Sequence, residues 1–412
     1  MDGRAELLQQ IRNRRPGYSL GQKFYADPGY YRLDLEAIHH REWLFAGHDC
    51  EIAEAGDYFT LTIGDYPVIV LRREDGSIGA LHNTCRHRGS RLCATPKGRF
   101  GRRIVCPYHQ WAYHHDGRLA AARQMMAEID AGRHGLKPVH CESVGGYIFV
   151  CVAPVAPDFA PVRAAIAPYL LPHRLDRARV AFESRIVEKG NWKLVWENNR
   201  ECYHCRGSHP ELCRSFPERP TVTNVDGTDE ATRAHAARCE AAGLPSAFRL
   251  SADGQYRTVR VPLEGEAVSL TMNGRAAVSR PLSDAVTEPA IGSMLLFHYP
   301  GTWNHVLGDH AISFRVLPLS PTETEVTTKW LVHRDAVEGR DYDLTTLTEV
   351  WLATNDQDRA IVEGNQAGIL SPAYEPGPYS QIHEGGVMQF VDWYCATMER
   401  NLGATAGLGR VA

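Results

Sequence analysis

The chain has 412 residues, 43% of them hydrophobic and 23% charged, and this balance excludes an intrinsically disordered protein. Its 45 basic and 49 acidic residues give a net charge of −4, which argues against a nucleic-acid partner. The absence of any run of about 18 apolar residues excludes a membrane span. The first residues also lack the apolar stretch of a secretory signal. We therefore expect a cytoplasmic protein with two or three domains.

The predicted elements fall into three segments along the chain. Residues 1–43 are polar and favour helix, and we expect this helical segment to pack on the last domain. Residues 44–155 contain short β-type runs, beginning with a predicted hairpin over residues 58–71. This pattern predicts a small antiparallel β domain. The proline-containing stretch 153–172 is typical of a linker.

The third segment covers residues 156–412. It contains further β-type runs, followed by one long predicted helix over residues 342–368 whose apolar residues have the spacing of a buried face. The runs cover residues 180–187, 256–261, 294–299, 311–318 and 325–332. The sequence thus predicts an α+β protein in which a small antiparallel β domain precedes a larger domain with an antiparallel sheet flanked by helices.

Two short motifs combine cysteine with histidine. Cys85 and His87 are spaced C-x-H, Cys106 and His109 are spaced C-x-x-H, and 18 residues separate the two motifs. The 11 cysteines are an odd number in a chain without an export signal, so we interpret these four residues as metal ligands. Such ligands suit either zinc or an iron–sulfur cluster. One Cys and one His in each loop favour a [2Fe–2S] cluster with two Cys on one iron and two His on the other. The segment resembles a Rieske domain.

A second candidate site lies at His204 and His209. Side chains five residues apart on a continuous helix point about 140° apart, so one helix would not bring both imidazoles to one metal. Gly207 and Pro210 resolve this, because they predict that one helix ends after His204 and that another begins at Pro210. Two cysteines in the same segment leave a zinc site open as an alternative.

A catalytic iron that activates O₂ requires two histidines and one carboxylate, with coordination positions left open. The long predicted helix supplies three candidate carboxylates, Asp356, Asp358 and Glu363. Taken with the cluster motif, the chain resembles the Rieske non-haem iron oxygenases over residues 43–393.

The resemblance implies which carboxylate binds the iron. In the nearest branch of the family, the ligand Asp precedes a Glu by five residues and a Gln by eight, and only Asp358 among the candidates has that spacing. His204, His209 and Asp358 are thus the implied ligands of a mononuclear Fe(II), beside the [2Fe–2S] cluster of the first domain.

The resemblance also implies an assembly. In the family, the cluster of one subunit lies beside the iron of the next subunit in a head-to-tail homotrimer. An acidic residue three positions before the first iron histidine links the two metals. Here that residue is Glu201, where many members carry Asp. The expected electron route therefore runs from His87 or His109 through Glu201, the expected catalytic residue, to His204.

Residues 197–205 and 208–212 resemble the quaternary-ammonium branch of the family. This implies a monooxygenase that removes one methyl group, most simply converting glycine betaine to dimethylglycine and formaldehyde. Proline betaine, carnitine and choline are alternative substrates, and aromatic-ring dioxygenation is the alternative reaction. The chain has neither a G-x-G-x-x-G nor a C-x4-C-x2-C motif, so we expect no flavin or NAD on it. The electrons would come from a separate NAD(P)H-dependent flavin and iron–sulfur reductase.

The sequence offers candidate residues for such a substrate. A trimethylammonium group is best held by aromatic faces, and the carboxylate of a zwitterion needs a donor, for which His305 and Asn304 are the candidates. The aromatic candidates are Tyr203, Phe297, Tyr299, Trp303, Phe390 and Trp393.

Overall fold

The computed structural model describes residues 3–217 and 230–403; residues 1–2, 218–229 and 404–412 of the predicted domain scheme lie outside the described residues. The amino-terminal segment is helical, as predicted. Asp27 starts one of its helices by accepting hydrogen bonds from Gly29 N (2.7 Å) and Tyr30 N (3.0 Å). The helices are α1 (Gly3–Arg12), α2 (Lys23–Ala26) and α3 (Pro28–Asp34), followed by a π-helical turn over Leu35–His39.

Ten strands are described in the next segment. Seven of them form an antiparallel sheet in the order β1-β10-β9-β4-β3-β2-β5, and β6-β7-β8 form a small second sheet. The predicted hairpin is β2–β3, in which Tyr58 lies opposite Leu71. The strands are β1 (Leu44–His48), β2 (Asp57–Ile63), β3 (Tyr66–Arg72), β4 (Ile78–His82), β5 (Lys97–Arg99), β6 (Ile104–Val105), β7 (Ala112–Tyr113), β8 (Leu119–Ala121), β9 (Pro138–Val144) and β10 (Tyr147–Cys151).

The linker predicted over residues 153–172 is wrong in part, because helix α4 (Ala160–Leu170) lies within it. Pro161 occupies the first turn, where a missing N–H costs no hydrogen bond. Val162 and Ile166 are buried in an apolar cluster that also contains side chains of both large sheets. The apolar spacing therefore outweighs the prolines, and the stretch packs between the sheets.

The remaining described residues form a second seven-stranded antiparallel sheet in the order β11-β17-β16-β15-β14-β13-β12, with helices around it. Its elements are β11 (Ala178–Glu188), α5 (Trp192–Asn199), α6 (Cys205–Ser208), α7 (Glu230–Ala241), β12 (Arg249–Leu250), β13 (Tyr256–Val261), β14 (Ser293–His298), β15 (Thr302–Val306), β16 (Ala311–Ser320), β17 (Glu323–His333), α8 (Leu344–Ile369) and α9 (Gly385–Gly403). The predicted α+β class is confirmed.

Two hydrogen bonds fix α8 against its neighbours. Asn355 Nδ2 donates to Thr328 Oγ1 of β17 (3.0 Å), and Asn191 N, at the start of α5, donates to Gln366 Oε1 (2.8 Å). These bonds set the position of α8 relative to α5, and hence the position of Asp358 relative to the segment that follows α5. No helix within residues 3–217 and 230–403 has both the length and the apolar character that crossing a bilayer requires.

Candidate active site

The four predicted cluster ligands lie on two similar loops. The first loop closes with a hydrogen bond from Gly89 N to Cys85 O, and the second with one from Gln110 N to Cys106 O, both of 3.0 Å. Cys85 and Cys106 are buried, and the ring centroids of His87 and His109 are 4.7 Å apart. The structure therefore brings two thiols and two imidazoles together.

The surroundings of these ligands fit a metal cluster. His87 Nδ1 is buried and has no hydrogen-bond partner among the described residues, while Trp111 stacks on the His87 ring at 4.8 Å. Burial raises the pKa of the Cys85 thiol, and the Tyr113 hydroxyl, 3.2 Å from its sulfur, opposes this. A bound cation would favour the thiolate further. The donor set suits a [2Fe–2S] cluster with mixed ligands.

The second site lies in the segment after α5, which differs from the prediction. We expected a helix through His204, but α5 ends at Asn199. The carboxylate of Glu201 accepts hydrogen bonds from Tyr203 N and, at 3.3 Å, from His204 N. These two backbone amides are therefore hydrogen-bonded although they are not part of a helix. The short helix α6 then separates His204 from His209 and turns the two imidazoles toward each other.

Three ligand atoms converge at this site. His204 Nε2 and His209 Nε2 are 2.9 Å apart, and Asp358 Oδ1 of α8 is 3.4 Å and 3.0 Å from them. Neighbouring ligands at about 2.1 Å from one metal lie about 3 Å apart, so this spacing fits a single ion. Asp356 is 65% exposed and pairs with Arg359, and Glu363 accepts a hydrogen bond from Lys189 N. Of the three candidate carboxylates, Asp358 alone faces the histidines.

Hydrogen bonds to the other ring nitrogens direct both Nε2 atoms toward that point. His204 Nδ1 donates to Glu201 Oε1, and His209 Nδ1 donates to Gln357 Oε1 (2.8 Å). Gln357 is held in turn by donating to Glu211 (2.8 Å). We did not predict Gln357 or Glu211; the only available signal was that a ligand histidine needs an acceptor on its second nitrogen.

His204, His209 and Asp358 are called the triad below, and the charges around them favour a bound cation. Burial lowers the pKa of His204, but the hydrogen bonds to Asp358 and Glu201 outweigh it and raise the pKa to about 9. Burial would raise the pKa of Asp358, and the two histidines lower it. Two carboxylates thus stabilise positive charge at the point where the nitrogens meet.

Cys202, two residues before His204, forms a disulfide with Cys205, the residue directly after His204; their Cα atoms are 4.9 Å apart. The cysteine count did not predict it. Cys205 Sγ lies within 4.8 Å of the ligand atoms of both histidines. The atoms that converge most closely are two imidazole nitrogens and one carboxylate oxygen, a donor set that differs from that of a cysteine-rich zinc site.

A cleft adjoins the triad and has four aromatic side chains in its wall, Phe216, Phe297, Trp303 and Trp351. Two of these, Phe297 and Trp303, were predicted. The other predicted aromatics are elsewhere: Tyr299, Phe390 and Trp393 are buried in the core, and Tyr203 is 61% exposed and stacks on His383.

Asn304 and His305, the predicted hydrogen-bond donors to a substrate carboxylate, line the cleft, but other protein groups already contact them. Asn304 Nδ2 donates to Tyr147 OH (2.8 Å), and its Oδ1 accepts from Leu296 N (2.9 Å). His305 Nδ1 lies 3.2 Å from Ser293 Oγ, and burial lowers the pKa of His305 to about 3. Two unpredicted residues of the same wall, Arg200 and Arg257, carry positive charge into the cleft.

The chain matches two protein families along most of its length. Residues 42–139 match the Rieske [2Fe-2S] domain, and residues 175–400 match the ring hydroxylating alpha subunit (catalytic domain). It is 49% identical, over an alignment of 415 residues, to the glycine betaine monooxygenase oxygenase subunit of Chromohalobacter salexigens, which covers 98% of this chain and 91% of that protein. It is 47% identical to the subunit of the same description from Pseudomonas aeruginosa, with 97% and 94% covered.

Two solved structures share the fold. A quaternary ammonium Rieske monooxygenase in complex with L-carnitine gives a TM-score of 0.71 at 19% identity, covering 95% of this chain and 98% of the other. Naphthalene 1,2-dioxygenase from a Rhodococcus species gives 0.65 at 19% identity, covering 96% and 98%. The family matches and the near full-length identities confirm the resemblance inferred from the sequence: the chain belongs to the Rieske non-haem iron oxygenases, with a Rieske [2Fe–2S] domain followed by a ring hydroxylating alpha-subunit catalytic domain.

Proposed function

We propose that this chain is the oxygenase component of a monooxygenase that removes one methyl group from a quaternary ammonium compound, with glycine betaine as the substrate. The observation that carries the proposal is the 49% identity, across 98% of the chain, to a glycine betaine monooxygenase oxygenase subunit. The cleft supports it independently, because aromatic walls suit a trimethylammonium group and arginines suit a carboxylate.

Two metal groups are part of the proposal. Cys85, His87, Cys106 and His109 would hold the [2Fe–2S] cluster, and the His204, His209 and Asp358 triad would hold Fe(II). When bound, these groups supply electrons and O₂ activation for inserting one oxygen atom into an N-methyl C–H bond. The balance requires two electrons and two protons for each O₂, and the second oxygen atom leaves as water. The hydroxymethyl ammonium product then breaks its C–N bond, which releases formaldehyde, a proton and the dimethylated amine.

The protein itself positions and shields the reactants. Glu201 and Gln357 fix the ring orientations of His204 and His209. The aromatic walls of the cleft would hold the methyl groups and exclude water from the reacting carbon.

Glu201 has the capacity for the intersubunit contact that the head-to-tail homotrimer would require. An ionised carboxylate offers about four lone-pair positions. Three of those positions are used here, by Tyr203 N, His204 N and His204 Nδ1. One position is therefore left for an imidazole N–H of a neighbouring cluster loop. That loop is accessible, because Tyr108, beside His109, is 56% exposed.

The same proposal includes the organisation of the chain and its partners. The two large sheets support a division into residues 1–43, 44–155 and 156–412. Electrons would come from a separate NAD(P)H-dependent flavin and iron–sulfur reductase, and the enzyme would act in the cytoplasm.

The test is a panel of methylated amines assayed with a compatible reductase and O₂. Glycine betaine should give formaldehyde and dimethylglycine in equal amounts, above the rates with carnitine, proline betaine and choline. Preferential turnover of one of those three would correct the substrate. Hydroxylation of an aromatic ring without formaldehyde release would overturn the proposed reaction.

A further inference from the structure

Two buried arginines share one aromatic ring in the wall of the cleft. Arg200 follows α5, and Arg257 lies on β13 directly opposite Phe297 of β14. The guanidinium carbons are 4.2 Å (Arg200) and 5.0 Å (Arg257) from the centroid of the Phe297 ring. The two residues are only 7% and 5% exposed. Two positive charges are therefore held close together, away from bulk water.

A bound anion would stabilise such an arrangement. Burial, and after it the Arg200 guanidinium, hold the pKa of Arg257 well below its ordinary range. Because arginine stays protonated in proteins, the repulsion between the two groups is a cost that a bound anion would relieve. Arg200 Nε is buried and has no hydrogen-bond partner among the described residues, so a donor remains available.

The two other buried arginines of the described residues lie away from the cleft. Arg315 donates to Ala46 O (2.7 Å), and Arg260 donates to His173 Nε2 (2.8 Å) and lies near Pro245 O. Neither of them lines the cleft. Arg200 and Arg257 differ because their guanidinium groups face a space that a small molecule can enter.

The two arginines give the cleft a region that suits an anion, and its aromatic side chains offer a surface that suits a trimethylammonium group. The carboxylate of a zwitterion that enters the cleft would therefore lie on the arginines, which leaves its ammonium end for the aromatic rings.

We propose that Arg200 and Arg257 together bind the carboxylate of the substrate, and that this pair selects zwitterionic betaines over cationic alcohols such as choline. The inference rests on the proposed function and names the part of the substrate that decides specificity. Planar guanidinium groups pair bidentately with carboxylates, so the pair would fix the orientation of the substrate as well as attract it. The ammonium end would then lie against Phe216, Trp303 and Trp351.

Equilibrium binding tests the proposal without turnover. Calorimetric titration of the purified wild-type protein with glycine betaine and with choline compares two probes that share a trimethylammonium group and differ in the carboxylate. The wild type should bind betaine about 100-fold more tightly than choline. Arg200→Met and Arg257→Met should each reduce this preference to below about 10-fold by weakening betaine alone. The ratio is measured within one sample, so partial unfolding of a variant does not change it.

Further variants complete the design. Arg260→Met removes a buried arginine from the same strand that does not line the cleft, and should keep the wild-type preference. Arg200→Lys and Arg257→Lys retain the charge without the planar fork and should give intermediate preferences. Equal affinity of the wild type for betaine and choline, or unchanged preference in both Met variants, would overturn the assignment. Formaldehyde release from no methylated amine would overturn the proposed function instead, which keeps the two failures distinct.

Discussion

Asp358 and Asp356 lie two residues apart on α8, yet only Asp358 faces the two histidines. We expect Asp358→Ala to lose the mononuclear iron and all turnover while the visible absorption of the cluster stays unchanged. The physical reason is that Asp358 supplies the only carboxylate among the three converging ligand atoms. Iron and acid-labile sulfide content, measured beside turnover, check this.

Asp356→Ala is the matched control, because its carboxylate is 65% exposed and pairs only with Arg359. It should keep iron and activity. Loss of iron in this variant, with iron retained in Asp358→Ala, would show that the ligand has been assigned to the wrong residue.

Glu201 permits a second prediction at the same scale. Glu201→Gln keeps the size of the side chain but removes the charge that the bonds to His204 and to a neighbouring imidazole depend on. Oxidation of a pre-reduced cluster in the presence of substrate should slow by about 100-fold or more, while iron loading is retained. Stopped-flow absorbance of the cluster measures the rate. Reoxidation at the wild-type rate would show that Glu201 only shapes its loop and takes no part in electron transfer.

Local spacing explains which site residues could be predicted. Cys85, His87, Cys106 and His109 lie in two short motifs, and the family pattern selected Asp358 among nearby acids. Arg257 has no such signal. It lines the cleft because β13 pairs with β14 in a register that places it opposite Phe297, and register depends on the whole sheet.

At the scale of the helices, Asp34 of α3 holds three elements together. Its carboxylate accepts hydrogen bonds from Lys193 Nζ (2.5 Å), Trp192 Nε1 (3.1 Å) and Tyr394 OH (2.7 Å), and both charged side chains are fully buried. Asp34→Ala leaves the Lys193 ammonium buried without its anion. We expect a loss of about 3–5 kcal/mol in the free energy of unfolding, measured by urea titration.

Lys23→Ala is the control for this element. It removes an ion pair with Glu6 in which the two side chains are 51% and 35% exposed, and solvent already screens such pairs. The urea midpoint should not move. Equal destabilisation by Lys23→Ala and Asp34→Ala would show that burial does not set the strength of the Asp34 network.

Sequence patterns at this scale predicted α8 and the β2–β3 hairpin but not α4. The long helix has an unbroken apolar face, and the hairpin has its turn residues, so each signal is local. Helix α4 contains two prolines, and the stabilising partners of Ile166 lie on two sheets that are distant in the chain. Tertiary packing decided the outcome there.

Across the whole molecule, Glu51 links the two sheets. Its buried carboxylate accepts from Lys329 Nζ of β17 (2.6 Å) and pairs with Lys97 Nζ of β5 (2.9 Å). Burial would raise the pKa of Glu51, and the two lysines lower it instead. Glu51→Gln should cost about 3 kcal/mol of unfolding free energy, because the buried Lys329 would keep only the more distant Glu183 carboxylate (3.8 Å) as its anionic partner. Glu74→Gln, at a position 64% exposed, should change it by less than about 0.5 kcal/mol.

Four buried histidines make the stability pH-dependent. Burial lowers the pKa values to about 3 for His39 and His305 and to about 4 for His48 and His298. Below the unfolded value of about 6.5, the unfolded chain binds protons that the folded chain does not, so acid favours unfolding. Each histidine should cost about 2 kcal/mol at pH 5. The buried Glu188 and Glu197 act in the opposite sense, because burial raises their pKa values to about 8 and about 7. The contribution of one histidine is therefore measured by comparison. The His298→Asn variant should lose less stability than the wild type between pH 7.5 and pH 5, as measured by urea midpoints, and an identical pH dependence in both proteins would contradict the lowered pKa of His298.

The stretch 200–209 carries a cleft arginine, the proposed electron bridge and two of the three proposed iron ligands, within ten residues of chain. A substitution that shifts this backbone would therefore affect several of these properties together. Arg257 of β13 and Trp303 of β15 line the same cleft from the sheet and are distant in the chain from the proposed metal ligands. Natural or directed evolution of substrate range therefore has more freedom on the strands than in the metal-binding stretch, because the strand residues face the substrate space without binding a metal.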